Sequence, residues 1–184
     1  MEDRIDFFLL EQNAIKKPMD AIGKDVFYKW FYMTNEGIEI KIYGSKIDGF
    51  VQLQTPPKPA FFYIYKEYYP NGYLKLKGKR MGGGATMVGE WEYYDENGHL
   101  TSKKNEDEKF GKFGYNELLL FLHQKEYINL ETGDNREKVD FRYDVETKQW
   151  EIYIINDFHW ITEYIIDGET GEILDMKEFQ GGKM

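Results

Sequence analysis

The sequence predicts an α+β fold that is mostly antiparallel β, in which a hairpin-repeat sheet is followed by a helix-plus-β-meander module. First, aromatic residues make up 17% of the 184-residue chain, and its 15 Tyr and 13 Phe favour strands. Second, residues 68–76 and 93–100 each begin with two aromatics, followed by a polar loop ending in Asn-Gly and by an apolar residue two positions further on. Third, a helical apolar run begins near residue 117, and period-2 alternation returns after it.

The first hundred residues predict one short helix and a series of strands. The helix is expected at residues 4–16 and ends before Pro18. Its apolar side consists of Ile5, Phe8, Leu9 and Ile15. Strands are expected at residues 26–33, 38–43, 50–53, 61–69, 73–79 and 88–94. Since Asn and Gly both accept positive φ, each Asn-Gly pair predicts a hairpin corner. The glycine-rich stretch 81–86 is expected to be a loop.

The remaining residues predict a linker and a second module. Residues 101–112 are charged and poor in apolar side chains, which favours a linker. Asn116 is placed to cap a helix over residues 117–126. Alternating strands are then expected at residues 139–144, 150–155 and 160–166, and a last strand begins at residue 173. The predicted domains are therefore residues 1–100 and 113–184, joined by the linker 101–112.

The charge of the chain is concentrated in its last part. The net charge of the chain is −9. Residues 101–184 have a net charge of −8, residues 1–60 a net charge of −1 and residues 61–100 a net charge of zero. An acidic field repels nucleic acid and favours a basic protein partner. The start of the chain does not resemble a secretory signal, and no stretch approaches the roughly 18 apolar residues of a membrane span. We therefore expect a cytoplasmic protein that binds neither nucleic acid nor membrane.

The sequence contains few signatures of catalysis. There is no cysteine, so a disulfide, a thiol nucleophile and a thiolate metal site are impossible. The three histidines, His99, His123 and His159, do not have metal-ligand spacing, and neither serine lies in a nucleophile motif. We therefore predict a protein that is not an enzyme and needs no cofactor or metal. One alternative remains open, a carbohydrate-active enzyme that uses paired carboxylates, because acidic residues are abundant.

The two Asn-Gly stretches resemble the bacterial variant of the MORN repeat. The matching residues are Tyr68, Tyr69, Asn71, Gly72, Leu74 and Gly78, followed by Gly89, Trp91, Tyr93, Tyr94, Asn97, Gly98 and Leu100. A weaker copy covers residues 31–38, where Glu36 separates Asn35 from Gly37. Proteins with such repeats are often antitoxin or immunity components. The resemblance therefore implies a hairpin array and a toxin as the partner; a structural repeat scaffold is a further alternative.

The C-terminal part is similar to PepSY-like domains, which have a helix followed by a meander. The matching residues are Trp150, Tyr164, Asp167, Thr170, Gly171, Glu172 and Ile173. Such domains are associated with inhibition of partner proteins, which again implies a protein-binding function.

These observations predict a binding site for a basic toxin domain on the C-terminal module. Glu151 and Glu163 lie on neighbouring predicted strands, and Asp157 lies in the turn between them. Acids on strands are held rigidly, so they pair with Arg or Lys at less cost in side-chain ordering. Tyr153 and Trp160 are the predicted aromatic anchors, because Tyr and Trp dominate binding hot spots.

Overall fold

The computed structural model describes residues 3–19, 25–81, 86–156 and 160–181. These residues form two mostly antiparallel sheets and two short α-helices, so the α+β, mostly β prediction is correct at this level. The strands of the larger sheet follow one another in chain order from β1 to β8. The smaller sheet has the order β12-β11-β10-β9, which is also sequential.

The larger sheet is preceded by helix α1 (Phe7–Asn13). Its strands are β1 (Ile15–Pro18), β2 (Val26–Met33), β3 (Glu39–Ser45), β4 (Gly49–Thr55), β5 (Phe62–Tyr68), β6 (Leu74–Met81), β7 (Thr86–Tyr94) and β8 (Leu100–Asn105). The smaller sheet follows helix α2 (Tyr115–Gln124) and consists of β9 (Val139–Asp144), β10 (Gln149–Ile155), β11 (Trp160–Asp167) and β12 (Ile173–Gln180). Two 3₁₀ helices lie at Glu106–Lys109 and Arg136–Lys138.

The chain divides into two compact units. The first contains residues 1–57, 62–79 and 89–105, and the second contains residues 58–61, 80–88 and 106–184. The second unit therefore includes two short segments that precede it in the sequence. Of the glycine-rich loop predicted at residues 81–86, residues 82–85 lie outside the described residues, whereas Met81 ends β6 and Thr86 begins β7.

The N-terminal helix differs from its prediction. It is shorter, and Asp6 caps it by accepting the Leu9 N–H at 3.0 Å. Its buried residue is Leu10, whereas Phe8 and Leu9 are exposed. Ile15 belongs to the edge strand β1 and is also exposed. The helix ends at Asn13 because the following residues pair with β2 instead, and an edge strand accepts the proline at its end.

Residues 101–112 were predicted as a linker, and this is wrong for their first half. Residues 100–105 form β8, which pairs with β7. All six residues of β8 are exposed, which explains the absence of an apolar pattern. Lys103 instead forms ion pairs with Glu90 at 2.7 Å and Glu92 at 3.0 Å on β7. A polar edge strand is a common way to protect the end of a sheet from unwanted pairing.

Three hairpin turns of the larger sheet share one hydrogen-bond pattern. In the turn at residues 69–73, the Tyr69 N–H donates to the Tyr73 carbonyl at 2.9 Å, and the Gly72 N–H donates back to the Tyr69 carbonyl at 2.8 Å. The same two bonds recur at residues 95–99 and 34–38. The weak repeat copy at residues 31–38 therefore forms the same corner as the two clear copies.

The turns are not of the type that the Asn-Gly pairs predicted. Gly37, Gly72 and Gly98 have φ of 78°, 87° and 85°, but neither Asn71 nor Asn97 has positive φ. Each loop therefore has three residues, and only its glycine is left-handed. Asn71 is needed for its side chain: Oδ1 accepts the Tyr73 N–H at 3.1 Å, and Nδ2 donates to the Glu96 carbonyl at 2.8 Å. The asparagine thus connects one repeat turn to the next.

The core of the second unit lies between α2 and one face of the smaller sheet. Leu118 and Leu122 of the helix and Trp150 of β10 have no exposed surface. The Trp150 indole N–H donates to the Phe113 carbonyl at 2.8 Å, and its ring stacks on Phe110 at a centroid distance of 5.0 Å.

In the part of the chain that the structure describes, neither helix has the length and apolar character to cross a membrane.

Candidate protein-binding face

The smaller sheet has one buried face and one accessible face. Burial alternates along β10 and β11, since Trp150, Ile152, Ile154, Thr162, Tyr164 and Ile166 are buried and the residues between them are not. The strand register places the remaining residues together. We define the outer face as Asp140, Arg142, Asp144, Gln149, Glu151, Tyr153, Ile155, Ile161, Glu163, Ile165, Asp167, Asp175, Lys177 and Phe179.

Three of the predicted partner-binding residues lie together at the centre of this outer face. Tyr153 is directly opposite Glu163 on β11 and Asp140 on β9. Its hydroxyl donates to Glu151 Oε2 at 3.2 Å. Burial raises the pKa of Tyr153 to about 12, and the carboxylates of Glu163 and Glu151 add to this shift. The phenol therefore remains a neutral hydrogen-bond donor between two acids at physiological pH.

The two predicted acids are not equivalent. Glu151 is opposite Arg142 on β9, and Arg142 Nε donates to Glu151 Oε2 at 2.6 Å. Hydrogen bonding to Glu151 raises the pKa of Arg142, so this pair stays ionised. Glu163 is opposite Lys177, but the Lys177 ammonium pairs at 2.7 Å with Asp175. Glu163 is therefore the acid whose charge is compensated less directly.

The outer face is acidic as a whole. It carries six carboxylates and two cationic side chains, which gives the described strand positions a net charge of −4. At one end, Asp144 and Asp167 accept backbone N–H groups of the adjoining turns, which lowers the pKa of both. At the other end, Ile155, Ile161 and Phe179 form one cross-strand row, and Ile155 and Phe179 are about two-fifths exposed. An apolar row beside acids is a suitable surface for a basic protein partner.

Trp160, the other predicted aromatic anchor, does not lie on the outer face. Trp160 lies two residues before Thr162 on β11, so it shares the buried face rather than the face of Tyr153. It remains 47% exposed because it is the first residue of its strand. It lines a cavity of about 450 Å³ together with Glu126, Tyr127, Asn135, Lys138, Ile154, Ile155 and Asn156. Asp157 lies outside the described residues.

Sequence reasoning missed the partners that surround the predicted acids. Arg142 and Lys177 determine which carboxylate is already paired, and Asp140 completes the row through Tyr153 and Glu163. The alternation in the sequence places these residues on one side of their own strands. Which residue lies opposite another depends on strand register, which is fixed by turn geometry and by the pairing of whole strands rather than by the alternation within one strand.

The first unit contains a cavity lined by two acids, the feature expected for an enzyme that uses paired carboxylates. Asp3 and Asp6 line a cavity of about 200 Å³. Asp3 Oδ2 forms an ion pair with Lys66 at 2.6 Å, its Oδ1 accepts the Tyr68 hydroxyl at 3.0 Å, and Asp6 caps α1. Both acids thus have structural partners. Over the described ranges, no group of three His, Asp or Glu residues is arranged to hold a metal ion.

Comparisons of the chain with protein-family models, with curated proteins and with solved structures found no match. The resemblances to MORN-variant and PepSY-like sequences therefore remain predictions, based on the residues quoted above.

Proposed function

We propose that this chain is a non-enzymatic protein-binding module of the immunity or antitoxin type, which neutralises a toxin by binding a basic surface on it. The observation that carries the proposal is the acidic outer face, where Glu151, Tyr153 and Glu163 lie side by side on paired strands. The proposed setting is the cytoplasm, and the proposed finer architecture is a MORN-variant hairpin array followed by a PepSY-like helix-plus-meander module.

The arrangement supports binding because its central groups are already ordered. Each side chain is held by a strand and by cross-strand neighbours, so a partner orders few additional rotamers. Tyr153 supplies a rigid aromatic ring of the type that dominates hot spots. Glu163 is the expected first contact for a partner Arg or Lys, because Glu151 is already bound to Arg142. The apolar row at Ile155 and Phe179 would supply the dehydrated part of the interface.

The proposal is tested with the toxin encoded by a neighbouring gene in the source genome. The chain and this toxin are produced together, and rescue of growth is measured. The association rate of the purified proteins is then measured for Glu151→Lys/Glu163→Lys and for a matched control, Glu108→Lys/Glu131→Lys. Both variants change the net charge of −9 by four units, but only the first changes the outer face.

We expect the outer-face variant to lose rescue and to associate at least about tenfold more slowly at low salt, whereas the control stays near the wild-type rate. The difference is expected to shrink above about 0.1 M salt, where charges are screened beyond about 10 Å. Equal association rates for the two variants at low ionic strength would rule out the acidic outer face as the docking site. Absence of any complex with the neighbouring toxin would contradict the immunity function itself.

A further inference from the structure

Strand β12 is an exposed edge strand. It is the terminal strand of the smaller sheet, and β11 is its neighbour on one side. All eight of its residues are exposed, and four of them are large and apolar: Ile173, Leu174, Met176 and Phe179. An exposed edge strand that carries apolar side chains on both faces is a surface on which another strand adds readily.

The backbone N–H of Met176, near the middle of β12, points to this open edge. The Met176 N–H donates to the carboxylate of the preceding residue, with Asp175 Oδ1 at 2.9 Å. Asp175 Oδ2 forms an ion pair with Lys177 Nζ at 2.7 Å. Alternate residues of β11 bond to β10, as Trp160 does, and Tyr164 opposite Met176 is one of them, so the Met176 N–H faces away from β11. Asp175 occupies this N–H, and an incoming strand carbonyl would replace it.

The charge pattern of β12 is complementary to itself in one antiparallel register. Residues directly opposite in a sheet point to the same face, so two symmetric copies must pair about a single central residue. A pair centred on Met176 places Asp175 of each copy opposite Lys177 of the other. Pairs centred on Asp175, Lys177 or Glu178 place two like charges opposite each other. Electrostatics thus favours the register centred on Met176.

We propose that two copies of this chain associate through β12, edge to edge and antiparallel about Met176, and join their four-stranded sheets into one. The two Met176 residues then exchange backbone hydrogen bonds, and the exposed Met176 side chains meet across the two-fold axis. Two Asp175–Lys177 contacts between the copies fix the register. This association is independent of the toxin and of the immunity function.

The first experiment measures the mass of the 184-residue chain by sedimentation at concentrations from about 1 µM to about 1 mM, a range that detects weak and moderate dimers. In the Lys177→Asp variant, Asp175 of each copy lies opposite the new aspartate of the other copy, which creates two repulsive pairs. We expect this to raise the dissociation constant of the dimer about tenfold or more. Asp175→Lys/Lys177→Asp exchanges the two charges and restores opposite pairs, so dimerisation should return to near the wild-type level. Far-UV circular dichroism verifies that each variant is folded.

The second experiment uses the absence of cysteine in the chain. In a Met176→Cys variant, the two Cα atoms should lie about 5.5 Å apart, which is within the range that a disulfide spans. We expect rapid formation of a covalent dimer under mild oxidation. The matched control is Leu120→Cys, because Leu120 of α2 is 50% exposed and Met176 is 51% exposed.

A monomer at every concentration would overturn the proposal. A dimer that Lys177→Asp leaves intact, or that the charge exchange fails to restore, would also overturn it, because the copies would then meet elsewhere. Equal rates of cross-linking at positions 176 and 120 would exclude the register centred on Met176.

Discussion

The close approach of Gly78 to Trp91 provides the sharpest test of the packing in the first unit. Both residues belong to the repeat motif, and Trp91 has no exposed surface. A Cβ atom on Gly78 would overlap the Cγ, Cδ2 and Cε2 atoms of the indole. The ring cannot turn away freely, because Tyr65 lies beside it with a centroid distance of 6.0 Å. Gly78→Ala therefore forces a buried ring to move, although the backbone at Gly78 is not in the left-handed region.

We expect Gly78→Ala to lower the free energy of unfolding by about 3 kcal/mol, at the upper end of the usual cost of overpacking. For a chain of this size, this corresponds to a fall in Tm of roughly 6–12 °C. Urea unfolding followed by circular dichroism measures the effect. In a Trp91→Leu background the ring is gone, so the same Gly78→Ala change should cost less than about 1 kcal/mol. The coupling between the two positions is then about 2 kcal/mol, which is typical of residues in contact.

Gly89 is the matched control for this cycle. It has a φ of 67°, and a Cβ there meets nothing within 4 Å. Gly89→Ala should therefore cost about 1–2 kcal/mol through backbone strain alone, and equally in both backgrounds. If Gly78→Ala costs the same with and without the Trp91 ring, the packing argument is refuted.

Three further outcomes are expected. Hydrogen bonding, above all to Lys77, lowers the pKa of Glu92 from 4.5 to about 2, so its contribution to stability is complete above pH 4.5 and is lost as the pH falls toward 2. Glu92→Gln should reduce the free energy of unfolding by about 1 kcal/mol at pH 7, after allowance for solvent screening, and the variant and wild type should converge near pH 2 in acid titrations. Trp150→Phe should cost about 2–4 kcal/mol in urea unfolding, since it leaves the carbonyl of Phe113 without its indole donor and opens a cavity. Gly72→Ala should lower Tm by at least about 4 °C in a thermal scan. The φ of 87° is strained for alanine, and a Cβ at this position would lie 2.8 Å from the Cε2 atom of the Phe7 ring.

Local patterns in the sequence were sufficient for most of the strands. The run of aromatic and apolar residues at 26–33 predicted β2, and alternation separated the buried from the accessible residues of β10. The strand period is two, so each residue is assigned to one side of its own strand by counting alone. The same counting places Trp160 on the face of Thr162, so the two predicted aromatic anchors, Tyr153 and Trp160, lie on opposite faces of the sheet.

The turns mark the limit of local prediction. The Asn-Gly signal located both hairpins correctly, but the turn type depends on how many residues the flanking strands pair before the loop begins. Once Tyr69 pairs with Tyr73, three residues remain in the loop, and the glycine alone is left-handed. Asn71 then becomes free to bind the next turn, a contact that exists only after the two hairpins lie side by side.

The sequence by itself determined the class of the fold, the positions of most strands and the acidic character of the C-terminal part, because composition and period-2 alternation are local properties. Only the tertiary structure decided that the charged stretch at residues 100–105 is a strand and that Glu151 is paired with Arg142 while Glu163 is not. It also placed four large apolar side chains on the open edge at β12. These features depend on strand order and register, which the turns and the pairing between strands fix and the pattern within one strand does not.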